Sequence, residues 1–211
     1  MSRIRAVISD FGGVLTTPLI GAFARVQEEH GISTASLGMA LHSLAERDGE
    51  NPLYRLERGE MTELEFLTAC EDEIERAERT RPELGRFNEL YFGALQPNPE
   101  MIGLMASLRD RGLRMAILTN NVREWEARWR SMLPVDEIFE LVVDSAFVGM
   151  RKPEPAIYEL TLERLGGLAA SECVFVDDIE VNVVAARELG MTGVLFESTE
   201  QAQAEIEAAL R

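Results

Sequence analysis

Lysine is nearly missing from this chain. Of 21 basic residues, 20 are arginine, and Lys152 is the one exception. The arginine bias reads as genome composition. A single departure from it marks a position where a compact, flexible ammonium serves and a planar guanidinium does not. Cysteine is as scarce: Cys70 and Cys173 stand far apart, with no second cysteine beside either. That spacing excludes a disulfide framework or a cysteine-rich metal site and predicts buried free thiols in a reducing cytoplasm. No apolar run approaches the ~20 residues of a membrane span. The stretch from Met1 to Asp10 is too briefly apolar for a signal peptide, so a cytoplasmic protein is expected. Positive charge is also short, with a formal net charge of −16. Phosphate backbones and anionic membrane surfaces select basic proteins, so nucleic acid and membrane are not expected partners. What remains, 46% hydrophobic and 27% charged residues with no repeat or low-complexity tract, describes a soluble globular chain with a sizeable core. Monomer and homodimer are equally compatible with it.

The apolar residues fall into short runs. Ile4 to Ser9 is β-branched and ends abruptly at Asp10-Phe11-Gly12-Gly13. Met115–Leu118, Leu141–Val143, Cys173–Val176 and Gly193–Phe196 have the same character, that of strands buried on both faces of a parallel sheet. Helical patterns separate them. Asn98-Pro99-Glu100 supplies an N-cap, a first-turn proline and an early acid, and the helix it opens ends before Gly112. Pro155–Leu165 is closed by Gly166, and Ile179–Leu189 by Gly190. Alternating strands and helices predict an α/β fold, a doubly wound, Rossmann-like parallel sheet.

Residues 15–96 contain no convincing strand. Thr62-Glu63-Leu64-Glu65 is a capping box, followed by Leu64, Leu67, Cys70 and Ile74 as one apolar face. The expected organisation is an α/β core of residues 1–14 and 97–211, with 15–96 inserted as a small helical cap. Such a cap would lie over the C-terminal edge of the sheet, where α/β folds bind ligands.

Reactive groups follow the strands at four places: Asp10 with its two glycines, Thr119-Asn120, Lys152 just before a helix, and Asp177-Asp178. Each alone has an ordinary explanation in capping or turn chemistry. Together, three carboxylates converging at one sheet edge would repel one another unless a cation held them. A lysine and a hydroxyl beside them complete a site for a tetrahedral dianion.

With those four loops in order, the chain resembles the haloacid dehalogenase superfamily across essentially its whole length, the cap included. The resemblance implies a Mg²⁺-dependent phosphatase that forms an aspartyl-phosphate on Asp10 and acts on a small phosphorylated substrate. It implies Asp10, Lys152 and Thr119 as catalytic residues. The Mg²⁺ ligands would be Asp10, the backbone carbonyl of Gly12, and Asp178, with Asp177 direct or through water. Thr119 and the Asn120 amide would hold phosphoryl oxygens, and Asn182 stands where the fourth loop often supplies an orienting group. One departure is plain. The family's hydrolases usually carry a second Asp two residues after the nucleophile as general acid and base; this chain has Gly12. Such a group is typically worth ~10²–10⁴ in rate. Metal-free 2-haloacid dehalogenation, or a weakened regulatory or interaction protein on the same fold, are the alternatives Gly12 leaves open. In the cap, Arg55 and Arg58 are candidate substrate-anion partners, while His30 and His42 read as helical surface histidines.

Overall fold

The computed structural model describes residues 3–18 and 33–211. β1 (Ala6–Ser9) comes first; α1 (Thr34–Asp48), α2 (Pro52–Glu57), α3 (Glu63–Glu78) and α4 (Phe87–Ala94) then precede α5 (Pro99–Asp110) and β2 (Arg114–Thr119). A 3₁₀ turn at Arg123–Trp125 leads into the short helices α6 (Glu126–Arg130) and α7 (Val135–Ile138), then β3 (Leu141–Asp144) and α8 (Ser145–Val148). α9 (Pro155–Arg164), β4 (Cys173–Asp177), α10 (Glu180–Glu188), β5 (Thr192–Leu195) and α11 (Thr199–Ala209) complete the chain.

The five strands are all parallel in the order β3-β2-β1-β4-β5. Alternate side chains fill two cores, as a sheet covered on both faces requires. Val7, Ile117, Val174 and Val176 belong to the core shared with the inserted helices, α5 and α11. Ala6, Ile8, Leu118 and Phe175 pack on the other face with Ile157, Tyr158 and Ala186 of α9 and α10. The chain steps outward from β1 through β2 to β3, then crosses to β4 on the far side of β1. That reversal opens a crevice between β1 and β4 at their C-terminal ends.

Local chemistry accounts for the helices. Asn98 caps α5 by accepting from the Met101 N–H at 3.2 Å. At α3, Thr62 Oγ1 accepts from the Glu65 N–H (3.2 Å) and Glu65 accepts from the Thr62 N–H (2.8 Å). α11 opens with a second box at Ser198 and Gln201. The apolar face expected on α3 needs one correction, because Leu64 is 76% exposed and Phe66 is buried instead. At 100° per residue the buried stripe of Phe66, Leu67, Cys70 and Ile74 is centred roughly 105° away from Leu64.

The two connections to the inserted helices run side by side. Thr16 bridges Pro97 in antiparallel fashion, the Thr17 N–H donates to Gln96 O (2.8 Å), and the Asn98 N–H donates to Leu15 O (2.8 Å). Cys70 and Cys173 are both free and buried, and burial pushes their thiols up to about 12 and about 11. His42 is exposed on α1, 3.5 Å from Glu46, and His30 lies outside the described residues. Among the described residues no helix is long and apolar enough to cross a membrane.

Candidate active site

Asp10 follows β1 directly, and its N–H donates to Val176 O of β4 at 2.8 Å, so the crevice wall fixes its backbone. Lys152 arrives from the loop between α8 and α9. The Asn120 side chain clamps that loop by accepting from the Lys152 N–H (2.8 Å) and donating to the Lys152 carbonyl (2.9 Å). Lys152 Nζ then lies 2.8 Å from Asp10 Oδ1 and 2.6 Å from Asp177 Oδ2. The lysine is 1% exposed, and Asp177 is fully buried.

Both oxygens of Asp177 are taken by protein donors. Oδ1 accepts from the Ile179 N–H (2.8 Å), and the Asn182 amide donates to Oδ1 (3.1 Å) and Oδ2 (3.2 Å). Asn182 is anchored in turn by the Tyr158 hydroxyl, which donates to its carbonyl at 3.0 Å. Asp177 therefore orients the lysine, and Asn182 orients Asp177.

Asp178 is part-exposed and lies against the glycine turn. Gly13 has φ +79°, and a Cβ there would lie 2.1 Å from Asp178 Oδ2. Glycine is thus needed twice over, for its backbone conformation and to let Asp178 approach. One oxygen from each of Asp10, Asp177 and Asp178 falls within 4.8 Å of the others. Three carboxylates against one ammonium leave two negative charges uncompensated in a mostly buried site. The oxygen-only donor set and that surplus both suit a hard divalent cation. Electrostatics reflect the crowding. Burial, reinforced by Asp177 and Asp178 and opposed by Lys152, raises Asp10 to about 7. Asp178 is also raised, by burial and then by Asp177. Burial works to strip Lys152 of its proton, but Asp10 and Asp177 outweigh it and hold the ammonium above its ordinary range.

Thr119, 2% exposed at the end of β2, lines the same cavity as Asp10, Gly12, Asn120, Lys152 and Asp178. With its side chain committed to the lysine loop, Asn120 has its backbone N–H to offer a ligand. Arg55 and Arg58 are not brought to this cavity. Arg58 instead ties Glu50 (2.9 and 2.8 Å) to Glu60 (2.9 Å). On α2 the cavity-lining residues are Leu53, Tyr54, Leu56 and Glu57. Arg55 stands two positions from Glu57, on the other side of the helix. The arginine that does line the cavity is Arg151: its guanidinium sits 4.0 Å from the Tyr54 ring centroid, and Nε donates to Glu57 at 2.6 Å. An arginine in so arginine-rich a chain carries no compositional signal; only its place beside Lys152 pointed to it.

The cavity, of about 500 Å³, extends from these polar groups to an aromatic wall. Phe87, Tyr91 and Phe92 of α4 gather round Trp125, with ring centroids 5.1 to 6.2 Å from it. The sequence did not single these residues out, since aromatics at helical spacing are commonplace in a core.

The strand-end aspartate, the lysine and the two adjacent acids thus meet at one crevice of an α/β fold. Residues 4–190 match the family model of the haloacid dehalogenase-like hydrolases, and the chain belongs to that family. Over 209 residues (98% of this chain) it is 32% identical to acyl-CoA dehydrogenase family member 10 of Mus musculus, of whose length it spans 19%. A phosphatase of Mycobacterium tuberculosis is 33% identical over 140 residues, 65% of this chain and 62% of the relative. A solved HAD-like family hydrolase from Porphyromonas gingivalis superposes with a TM-score of 0.74 at 23% identity, covering 100% of this chain and 99% of the other.

Proposed function

We propose that this hydrolase is a Mg²⁺-dependent phosphatase of a small phosphorylated metabolite, working through an aspartyl-phosphate on Asp10. The observation that carries the proposal is the buried Asp10–Lys152–Asp177 chain with Asp178 beside it. Asp10 and Asp178, with the Gly12 carbonyl, would hold the metal. When bound, Mg²⁺ would relieve the repulsion between the Asp10 carboxylate and a phosphate dianion. A carboxylate oxygen of Asp10 forms the bond to phosphorus as the ester P–O bond breaks. Water then attacks phosphorus, releasing inorganic phosphate and restoring Asp10. Lys152 restrains Asp10 through Oδ1 and supplies positive charge to the transferring group. Thr119 Oγ1 and the Asn120 N–H are the donors for the phosphoryl oxygens. The helical insertion acts as a cap over this chemistry, within a cytoplasmic protein.

Gly12 favours a second reading, metal-free dehalogenation of 2-haloacids, which needs no acid at that position. Asp178 weighs against it, since an extra carboxylate with no cation costs stability. A weakened regulatory role also rests on Gly12 alone. Phosphate release from a panel of phosphomonoesters with Mg²⁺ and with EDTA, beside halide release from 2-chloropropionate, separates the three. Metal-dependent phosphate release supports the phosphatase. Halide release indifferent to EDTA, or no turnover of either class, sinks it.

A further inference from the structure

The reactive floor of the cavity and its wall ask for different things. Beyond Asp10, Thr119, Lys152 and Asp178 the lining turns apolar, with Leu53, Phe66 and the Phe87–Tyr91–Phe92–Trp125 cluster. Most polar groups on that wall are already committed: Arg151 to Glu57, the Asn120 side chain to the lysine loop, and Asn121 Oδ1 to the Val122 N–H. Glu63 and the Trp125 indole N–H face one another, so that pair is largely committed as well. Such a wall offers little to a polyol, whose hydroxyls would be desolvated at a cost. A volume of about 500 Å³ is that of a site for a ligand with a sizeable organic body.

Gly12 bears independently on the same ligand. Without an acid two residues after Asp10, the leaving oxygen departs as an anion. A phenol-type oxygen, with a pKa of about 10, does so readily; an alkyl oxygen, close to water's value of roughly 15.7, does not. From the cavity wall and the Gly12 position together we infer that the ester this site hydrolyses is an apolar aryl phosphate, its ring system seated against the Phe87–Trp125 cluster. The inference rests on the phosphatase reading and specifies its substrate class. As the Asp10 oxygen bonds to phosphorus, the P–O(aryl) bond breaks and the aryl oxide leaves with the electron pair, taking a proton from solvent. Water then cleaves the aspartyl-phosphate, and its proton passes to the bulk.

The test compares kcat/KM, with Mg²⁺, for phenyl phosphate, 2-naphthyl phosphate, 2-(2-naphthyl)ethyl phosphate and glucose 6-phosphate. Each buried carbon is worth about fourfold, so the naphthyl ester should exceed the phenyl ester by about tenfold or more. It should exceed the naphthylethyl ester, which has the same apolar body on an alkyl oxygen, by about 10² or more. Glucose 6-phosphate should be the poorest. Leu53→Trp, which narrows the cavity, should bring the naphthyl-to-phenyl ratio of kcat/KM down to about one. The four-ester comparison on the unaltered protein stands even if that variant misfolds. Fastest turnover of glucose 6-phosphate would overturn the inference while leaving a phosphatase. Equal rates for the two naphthyl esters would overturn it too, by showing that another group supplies the proton. No phosphate from any ester would remove the phosphatase reading as well.

Discussion

Lys152 sits between two carboxylates in a space that admits a single ammonium and little else. An arginine there would carry the same charge on a larger plane with fixed donor directions. Lys152→Arg should therefore lower kcat/KM by ~10² or more, measured on an aryl phosphate, with the far-ultraviolet circular dichroism unchanged. An active Arg variant would show that position 152 supplies charge alone. The lysine's compositional isolation made it legible, as did the strand-end placement of Asp10 and Asp178. Arg151 was hidden for the converse reason, being one arginine among 20. The Asn120 clamp was also unreadable, because it joins a side chain to a backbone 32 residues away. Gly13 offers a sharper residue-scale test. Gly13→Ala places a methyl into Asp178 and forces alanine to positive φ, which should cost ~1–2 kcal/mol from the backbone alone. Chemical denaturation would measure that loss, and no loss would show the turn relaxing freely. Gly12 lacks the positive φ of its neighbour, so aspartate fits its backbone. Gly12→Asp should narrow the gap between aryl and alkyl esters in a steady-state assay, and an unchanged gap would mean that the new carboxyl does not reach the leaving oxygen.

Among the elements, strands announced themselves best. Four or five consecutive β-branched and apolar residues ending at a polar group have few other solutions, and the observed strands differ from the expected ones by a residue at most ends. Inserted helices were harder. α3 carries a capping box, but α4 starts at Arg86 with no side-chain cap bond, so nothing local marks it. Strand ends also store cost. Asp144 caps α8 by accepting from the Ala146 N–H (3.0 Å), and it is buried beside the Trp129 indole N–H. Burial raises its pKa from 3.8 to about 7. Folded protein then holds a proton that the unfolded chain releases, so this group's contribution falls as pH rises from about 4 to about 7 and is constant outside that window. Asp144→Asn keeps the cap acceptor and removes the titration. Its melting temperature should exceed the wild type's at pH 8, by on the order of 2 kcal/mol in stability, and the advantage should vanish near pH 4. A difference independent of pH would place the effect in packing rather than charge.

For the molecule as a whole, topology followed from the alternation of elements, because a parallel sheet with crossover helices is the usual way to bury such strands. The order of the strands, which brings Asp10 and Asp177 to the switch crevice, was not written locally in any segment. That convergence has a thermodynamic signature. Millimolar Mg²⁺ should raise the melting temperature near neutral pH by relieving the carboxylate repulsion, and Asp178→Asn should lose most of the response. A wild type indifferent to Mg²⁺ would count against the metal site.

The antiparallel bridge at Thr16 and Pro97 means that the inserted helices leave and re-enter the sheet through a single doorway. A segment whose two ends touch can be lengthened, shortened or exchanged without asking any strand to move. Asp10, Thr119, Lys152 and Asp178 lie on the sheet side of that doorway, and much of the aromatic wall lies beyond it. Descent with modification can therefore reshape the far wall of the cavity by rewriting one contiguous stretch of gene, while the strand-end carboxylates and the lysine are inherited untouched.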